Sequence, residues 1–319
     1  MPITMTQNPR PAVFLHSGFR TGSTWFWNCF RRAANTCAYY EPFHECLAEL
    51  HPDTFATTIP DGTRLRHPTL SAPYFEEYRA LLRPTGGVAF YDVGMALNDY
   101  FYTGPNPAQH RYLTHLLQHA WDSGKAPVLG FCRSLGRMPW LRQHVSAINI
   151  VTLRKPWNRW ASYRNHTIQN GNHYFELCSY VIAVVGRNGQ YRAFFEDLPL
   201  PPPSAEQPLG VSFEALSEEQ RLRIFLRVYV LEMMIALRHA DHVVDLERMT
   251  GDADYRTEIT AELRRATGLA DLCFSDCALP DHSGSADPMF RTCLDEARSL
   301  LVKHLAEGEG ARAAPDSRS

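Results

Sequence analysis

The stretch AVFLHSGFRTGSTWFWNCF, residues 12–30, decides how the rest of the chain reads. Ala12–His16 is a short apolar run that stops at Ser17-Gly18, and a helix is predicted from about Ser23 to Ala34. Strand, tight glycine-bearing loop and helix, in that order, aim the first N–H groups of the helix at whatever sits in the loop. Such a nest binds phosphate or sulfate through oriented donors and the helix dipole. Gly22 lets the backbone come close to an anion. Ser23 and Thr24 add hydroxyls, and Arg20 adds a charged fork suited to tetrahedral oxyanions. A nucleotide triphosphatase requires GxxxxGK[ST]. Here Gly18 and Gly22 stand one residue too close together and Ser23 stands where the lysine belongs, so ATP or GTP hydrolysis is disfavoured. Taken alone, the segment reads equally well as a helix cap with a stray arginine.

Outward from this segment, strands alternate with helices. Cys37–Tyr40 is a second short strand, and Pro127–Phe131 and Ile148–Leu153 are apolar runs suited to the middle of a parallel sheet. Pro156 opens a helix at a position where its missing N–H does no harm. Ser217 can cap a long helix, with Gln220 completing the box, that runs to about His239. His242–Leu246 reads as a strand and Asp254–Thr267 as a helix. The alternation predicts one doubly wound α/β domain over 11–305. The N-terminus 1–10 reads as flexible and 306–319 as a disordered tail. LPLPPPSAEQPLG (198–210) cannot be regular structure and reads as a surface excursion or lid. DHSGSAD (281–287) reads as a loop, mobile over a ligand or simply at the surface.

A hydrophobic content of 45% and a charged content of 21% describe a globular enzyme. The net charge of −2, with acids and bases interleaved, gives no reason to expect nucleic acid or an anionic membrane as partner. No segment has the run of apolar residues a membrane span needs, and the N-terminus lacks the apolar region of a secretory signal. Eight scattered cysteines, with no pair of CxxC spacing, read as reduced core residues of a cytoplasmic protein without a metal site. Oligomeric state is not written in the sequence.

INIVTLRKPWNRWASYRNH (148–166) supplies a second constellation. Arg154 ends a strand, on the carboxyl edge that the first loop shares in a parallel sheet. Ser162, eight positions on, lies one to two turns into the following helix and could face the same anion. The two segments together resemble the nucleotide-binding motifs of the sulfotransferases that use 3'-phosphoadenosine 5'-phosphosulfate (PAPS). These are a 5'-phosphosulfate loop, [K/R]-[ST]-G-[ST]-[ST]-W/L, and a 3'-phosphate motif, R-x-P with a serine eight residues after the arginine. The resemblance covers roughly residues 11–250; VVDLERM (243–249) is only loosely like the family's late strand. It implies a P-loop-like central parallel β-sheet flanked by helices. By it, Arg20, Thr21, Gly22, Ser23 and Thr24 would grip the 5'-phosphosulfate, and Arg154 and Ser162 the 3'-phosphate. Trp25 stands where the family often stacks an aromatic on adenine, and otherwise reads as core. The implied activity is sulfuryl transfer from PAPS, without a metal, to a hydroxyl or amine of a small-molecule or carbohydrate acceptor.

The resemblance departs from the phenol and steroid enzymes at the base. Their histidine would fall at or near Cys132 in VLGFCRSLGR (128–137), so that base is absent. YYEPFHE (39–45) is similar instead to the E-P-x-H of carbohydrate sulfotransferases. Glu41 is therefore the expected general base, with His44 as second choice or orienting partner; a helix-start acid and a surface histidine are the plainer readings. HECLAELH (44–51) is not HExxH, which excludes a zinc protease on spacing. Arg133 could touch sulfate or an acidic acceptor, or form a surface salt bridge. Asp92 could face the acceptor, though a structural role suits it better, and His16 reads as a satisfied buried histidine. Two readings stand beside the transferase: an anion- or nucleotide-binding protein without transfer chemistry, and a small-molecule kinase with a degenerate loop. Turnover would separate the first and magnesium dependence the second.

Overall fold

A strand covered on both faces has no reason to alternate polar and apolar residues, and Ala12–His16, buried at all five positions, does not. This strand, β1, is the centre of the sheet. It pairs in parallel with β3 (Ala126–Phe131) on one side and β4 (Ala147–Leu153) on the other, with Val13 opposite both Val128 and Ile148. β2 (Thr36–Tyr40) lies outside β3 and β5 (His242–Asp245) outside β4. The order is β2-β3-β1-β4-β5, every pair parallel. This is the expected α/β class with a central parallel sheet flanked by helices. A computed structural model of the chain describes residues 10–59, 68–200, 213–280 and 287–313.

The helices are α1 (Ser23–Arg32), α2 (Pro107–Asp122), α3 (Met138–His144), α4 (Pro156–Asn170), α5 (Tyr174–Arg187), α6 (Arg192–Phe195), α7 (Glu218–His239), α8 (Leu246–Gly251), α9 (Ala253–Thr267) and α10 (Pro288–Ala313). The chain divides into two compact units. Met1–Lys155 with Ala236–Asp281 holds the whole sheet, and Pro156–Ile235 with His282–Ser319 is helical. Composition carries no mark of this division, because Lys155-Pro156 is an ordinary strand-to-helix step. In the first unit α1 packs its buried face, including Phe26, Trp27 and Phe30, into the core. In the second unit Trp160 of α4 packs against Phe225 of α7 at 5.4 Å between ring centres. The capping box forms as expected. Ser217 Oγ accepts from the N–H of Gln220 at 3.2 Å, and Gln220 Oε1 accepts from the N–H of Ser217 at 2.8 Å.

Among the boundaries that differ from expectation, two have local reasons. β5 stops at Asp245, whose carboxylate accepts from the N–H groups of Glu247 and Arg248 and so caps α8, taking Leu246 into that helix. α10 runs to Ala313 and takes in the first eight residues of the expected tail, 306–313. The N-terminal residues 1–9, most of the Pro-rich stretch (201–212), residues 281–286 of the expected loop and the last six residues lie outside the described residues.

Candidate functional site

The carboxyl ends of parallel strands share one edge. Around β1 the connections diverge there, α1 leading towards β2 and β4 leading on to β5. Such a switch point is where open α/β sheets take ligands. The loop after β1 is tied to both neighbours. Ser17 donates its N–H to Phe131 O at 3.0 Å, and its hydroxyl bonds Thr152 Oγ1 at 2.6 Å. Thr21 turns its hydroxyl inward to Gly18 O at 2.6 Å and is buried, so it closes the loop instead of offering a donor outward. Arg20 has φ of 59° and Gly22 of 100°, both left-handed. Gly22 sits at the N-cap of α1, and no side chain caps that end. A Cβ at Gly22 would lie 2.7 Å from Leu279 Cδ2 and 3.3 Å from Leu246 Cδ1, so glycine is required here by space as well as by conformation.

Ser23 is half-buried and accepts from the thiol of Cys132 at 3.0 Å. Burial is the main reason the Cys132 thiol is held far above its ordinary range, with the nearby charge of Glu41 adding to it. It is therefore a neutral donor to the loop and cannot replace the missing histidine as a base. Thr24 is buried, its hydroxyl 2.9 Å from that of Tyr40 on β2. Trp25 is half-buried, 6.0 Å from Phe274 between ring centres, with its indole N–H donated to Asp276 at 3.3 Å.

Arg154 is not the exposed edge arginine its position suggests. It is 5% exposed, donating Nη1 to Arg20 O at 2.8 Å and Nη2 to Pro280 O at 2.6 Å, with Glu247 Oε1 3.6 Å from Nε. The expected second 3'-phosphate ligand, Ser162, is buried on α4. Arg154 belongs to the first unit and Ser162 to the second.

The Glu41 segment reaches the same edge. Glu41 donates its N–H to Gly130 O at 2.8 Å, extending the β2–β3 pairing by one bond. Its φ of 41° is left-handed, a strained state for a glutamate that functional sites tend to hold. The side chain is buried and accepts from Nη1 of Arg133. Arg133 is itself 1% exposed, rests 4.9 Å from the Phe19 ring and bonds Glu45 Oε2 at 2.8 Å. Its pair with Glu41 is therefore buried and its pair with Glu45 reaches the surface only on the Glu45 side, where the sequence suggested a surface salt bridge or a contact with ligand. His44 is likewise buried and not a surface histidine. Its Nδ1 accepts from the N–H of Cys46 at 3.2 Å, which leaves the proton on Nε2 and suits an orienting residue better than a base.

Asp92 is exposed and accepts from the N–H of Gly94 at 2.8 Å, capping the turn Val93–Met95; that is the structural role. His16 is fully buried between Ser134 Oγ at 2.7 Å and Asn149 Oδ1 at 3.1 Å, and burial lowers its pKa to about 4. The geometry adds Glu45, which the sequence reading passed over although it stands one turn beyond Glu41. Among the described residues no three His, Cys, Asp or Glu side chains gather as a metal cage, and no helix is long and apolar enough to cross a membrane. The cysteines are free, seven of them buried or half-buried and Cys273 exposed. No family model, curated protein or solved structure matches the chain.

Proposed function

We propose that the chain is a PAPS-dependent sulfotransferase on a P-loop-like sheet, acting on a hydroxyl or amine of a small-molecule or carbohydrate acceptor. One observation carries the reading. The Arg20–Thr24 loop, left-handed at Arg20 and Gly22, opens α1 at the switch point of an all-parallel sheet, and a buried carboxylate, Glu41, stands at the same edge. The donor set suits a divalent tetrahedral oxyanion: the first-turn N–H groups of α1, the guanidinium of Arg20 and the hydroxyl of Ser23. PAPS supplies a sulfuryl group on a phosphate leaving group. Arg20 and the α1 N-terminus neutralise the charge that grows on the bridging oxygen. Glu41 takes the acceptor's proton as the acceptor atom bonds to sulfur and the sulfur–bridging-oxygen bond breaks. Thr21 shapes the loop, Arg154 holds it through Arg20 O and is the cation for the 3'-phosphate, and Trp25 offers a ring face for adenine.

Adenosine 3',5'-bisphosphate tests the donor assignment. At a hundredfold excess over its dissociation constant it should stabilise the chain by about 2.7 kcal/mol, and ATP at the same concentration by much less. Transfer of labelled sulfate to a panel of acceptors then tests the chemistry. Equal thermal shifts with both nucleotides would overturn the donor assignment, and bisphosphate binding without transfer to any acceptor would leave a binding protein.

A further inference from the structure

Arg133 lies between two carboxylates of unequal exposure. It reaches Glu41 through Nη1 and Glu45 through Nη2, and the side chains of Glu41 and Glu45 are 8% and 41% exposed. From this arrangement we infer that Arg133 and Glu45 set the proton affinity of Glu41, with Arg133 keeping it ionised and Glu45 keeping it basic. The inference rests on the transferase reading only for its effect on rate.

A guanidinium in contact with a carboxylate favours the charged form, and a second carboxylate on the same guanidinium opposes that effect. Neither Arg133 nor Glu41 can simply leave. Arg133 is 1% exposed and rests against Phe19, while Glu41 is pinned by its N–H bond to Gly130 O in a left-handed conformation. A general base has to be ionised and yet hold a proton near the working pH. An arginine alone on Glu41 would meet the first need and defeat the second; sharing that arginine with Glu45 meets both.

The other groups around Glu41 do not substitute for this pair. Cys132 is kept a neutral thiol, chiefly by burial. His44 faces Glu45 with Nδ1 at 3.5 Å, and that nitrogen accepts from the N–H of Cys46. Tyr91, beside Arg133 and Glu45, is kept neutral by burial. Arg137, lowered to about 10 chiefly by burial, donates to Gln109 Oε1 at 2.9 Å and Ala96 O at 3.0 Å, and the carboxylate that acts on it is that of Asp99.

Glu45→Gln is the test, because it removes a half-exposed charge and keeps an acceptor for Arg133. The carboxyl carbon of Glu41, assigned by its loss in Glu41→Gln, is followed by NMR across pH in the protein without ligands. The midpoint should fall by about 0.5–1 pH unit, a like-charge effect reduced by the exposure of Glu45. Arg133→Met should raise it by about one unit or more, and if that variant fails to fold, Glu45→Gln decides alone. A Glu41 midpoint that stays within about 0.2 units of the parent in Glu45→Gln overturns the inference. The acid limb of the pH–rate profile should move down by the same amount. An NMR shift with an unmoved limb would support the tuning while removing Glu41 as the base, so the two ideas fail separately.

Discussion

Substituting alanine at Gly22 tests the loop in isolation from its charges. The backbone there has φ of 100° and ψ of 17°, beyond the left-handed well that an L-residue tolerates at a cost of about 1–2 kcal/mol. The new Cβ would fall 2.7 Å from Leu279 Cδ2 and 3.3 Å from Leu246 Cδ1. Overpacking typically costs about 1–3 kcal/mol, and the lower half applies because the Leu279 contact is the end of a side chain that can turn. Together the two effects destabilise the sheet unit by about 2–4 kcal/mol. In urea, at about 1–3 kcal/mol per molar, the midpoint should move down by about 0.7 M or more. A double-mutant cycle separates the causes. In a Leu279→Ala background most of the steric part should go, leaving about 1–2 kcal/mol of conformational strain and the lesser contact with Leu246. Affinity for adenosine 3',5'-bisphosphate should fall in both backgrounds, since the N–H groups that follow Gly22 lose their aim. A loss below about 0.5 kcal/mol for Gly22→Ala would refute the strain argument, and an unchanged loss in the Leu279→Ala background would refute the steric one.

Glu41→Gln should lower turnover by about 10²–10⁴-fold with donor affinity intact; turnover within a few-fold of the parent would remove Glu41 as the base. Arg154→Ala should weaken donor binding about tenfold or more, because a charge-assisted hydrogen bond is worth roughly 1.5–3 kcal/mol, and calorimetry measures it. The same variant should also lower the melting temperature, since the carbonyls of Arg20 and Pro280 lose their donor. Burial holds His16 at about 4 against an ordinary 6.5. The unfolded chain therefore takes up a proton below about 6.5 that the folded chain refuses, and stability falls as pH drops through that window. The loss reaches roughly 3 kcal/mol by its lower end. His16→Gln should flatten the denaturation midpoint against pH over that window, and an unchanged slope would contradict the assignment.

What the sequence discloses is what local pattern controls. β1, β3 and β4 are legible as short, mainly apolar runs, and the Ser217–Gln220 box as a pair of residue types at fixed spacing. Strand order is not local, and neither is the long stretch between β2 and α2. Side chains hold that stretch from a distance: the Tyr78 hydroxyl donates to Tyr40 O at 3.1 Å, and the Tyr112 hydroxyl to Pro42 O at 2.8 Å. α5 is buried at nine of its fourteen positions, so it lacks the polar stripe by which a helix is recognised. At the proposed site, the strand, glycine turn and helix start around Arg20 to Trp25 are legible because they lie in consecutive residues. The burial of Arg133 is not. Its partners Glu41 and Glu45 come from a segment some ninety positions earlier, and an arginine at a strand end ordinarily points to water.

Arg154 shows how far residue type can mislead about role. Its place at the end of β4 suggests a cation waiting for a phosphate, but in the structure its fork grips Arg20 O and Pro280 O. The bond to Arg20 bears on the loop's strain. A left-handed arginine costs about 1–2 kcal/mol, and a charge-assisted bond returns roughly 1.5–3 kcal/mol, so Arg154 holds Arg20 in that conformation without a ligand. A ligand then meets a loop already set, with less ordering left to do on binding. Arg154→Ala would on this account weaken donor binding even where the guanidinium never meets the 3'-phosphate. Comparing two ligands separates the routes. If Arg154 contacts the 3'-phosphate, the penalty should disappear for adenosine 5'-phosphosulfate, which lacks that group. If it acts by holding Arg20, the same roughly tenfold penalty should persist with both. Persistence of the full penalty would move Arg154 from the 3'-phosphate site to the loop, and its disappearance would show that the carbonyl contacts give way to the ligand.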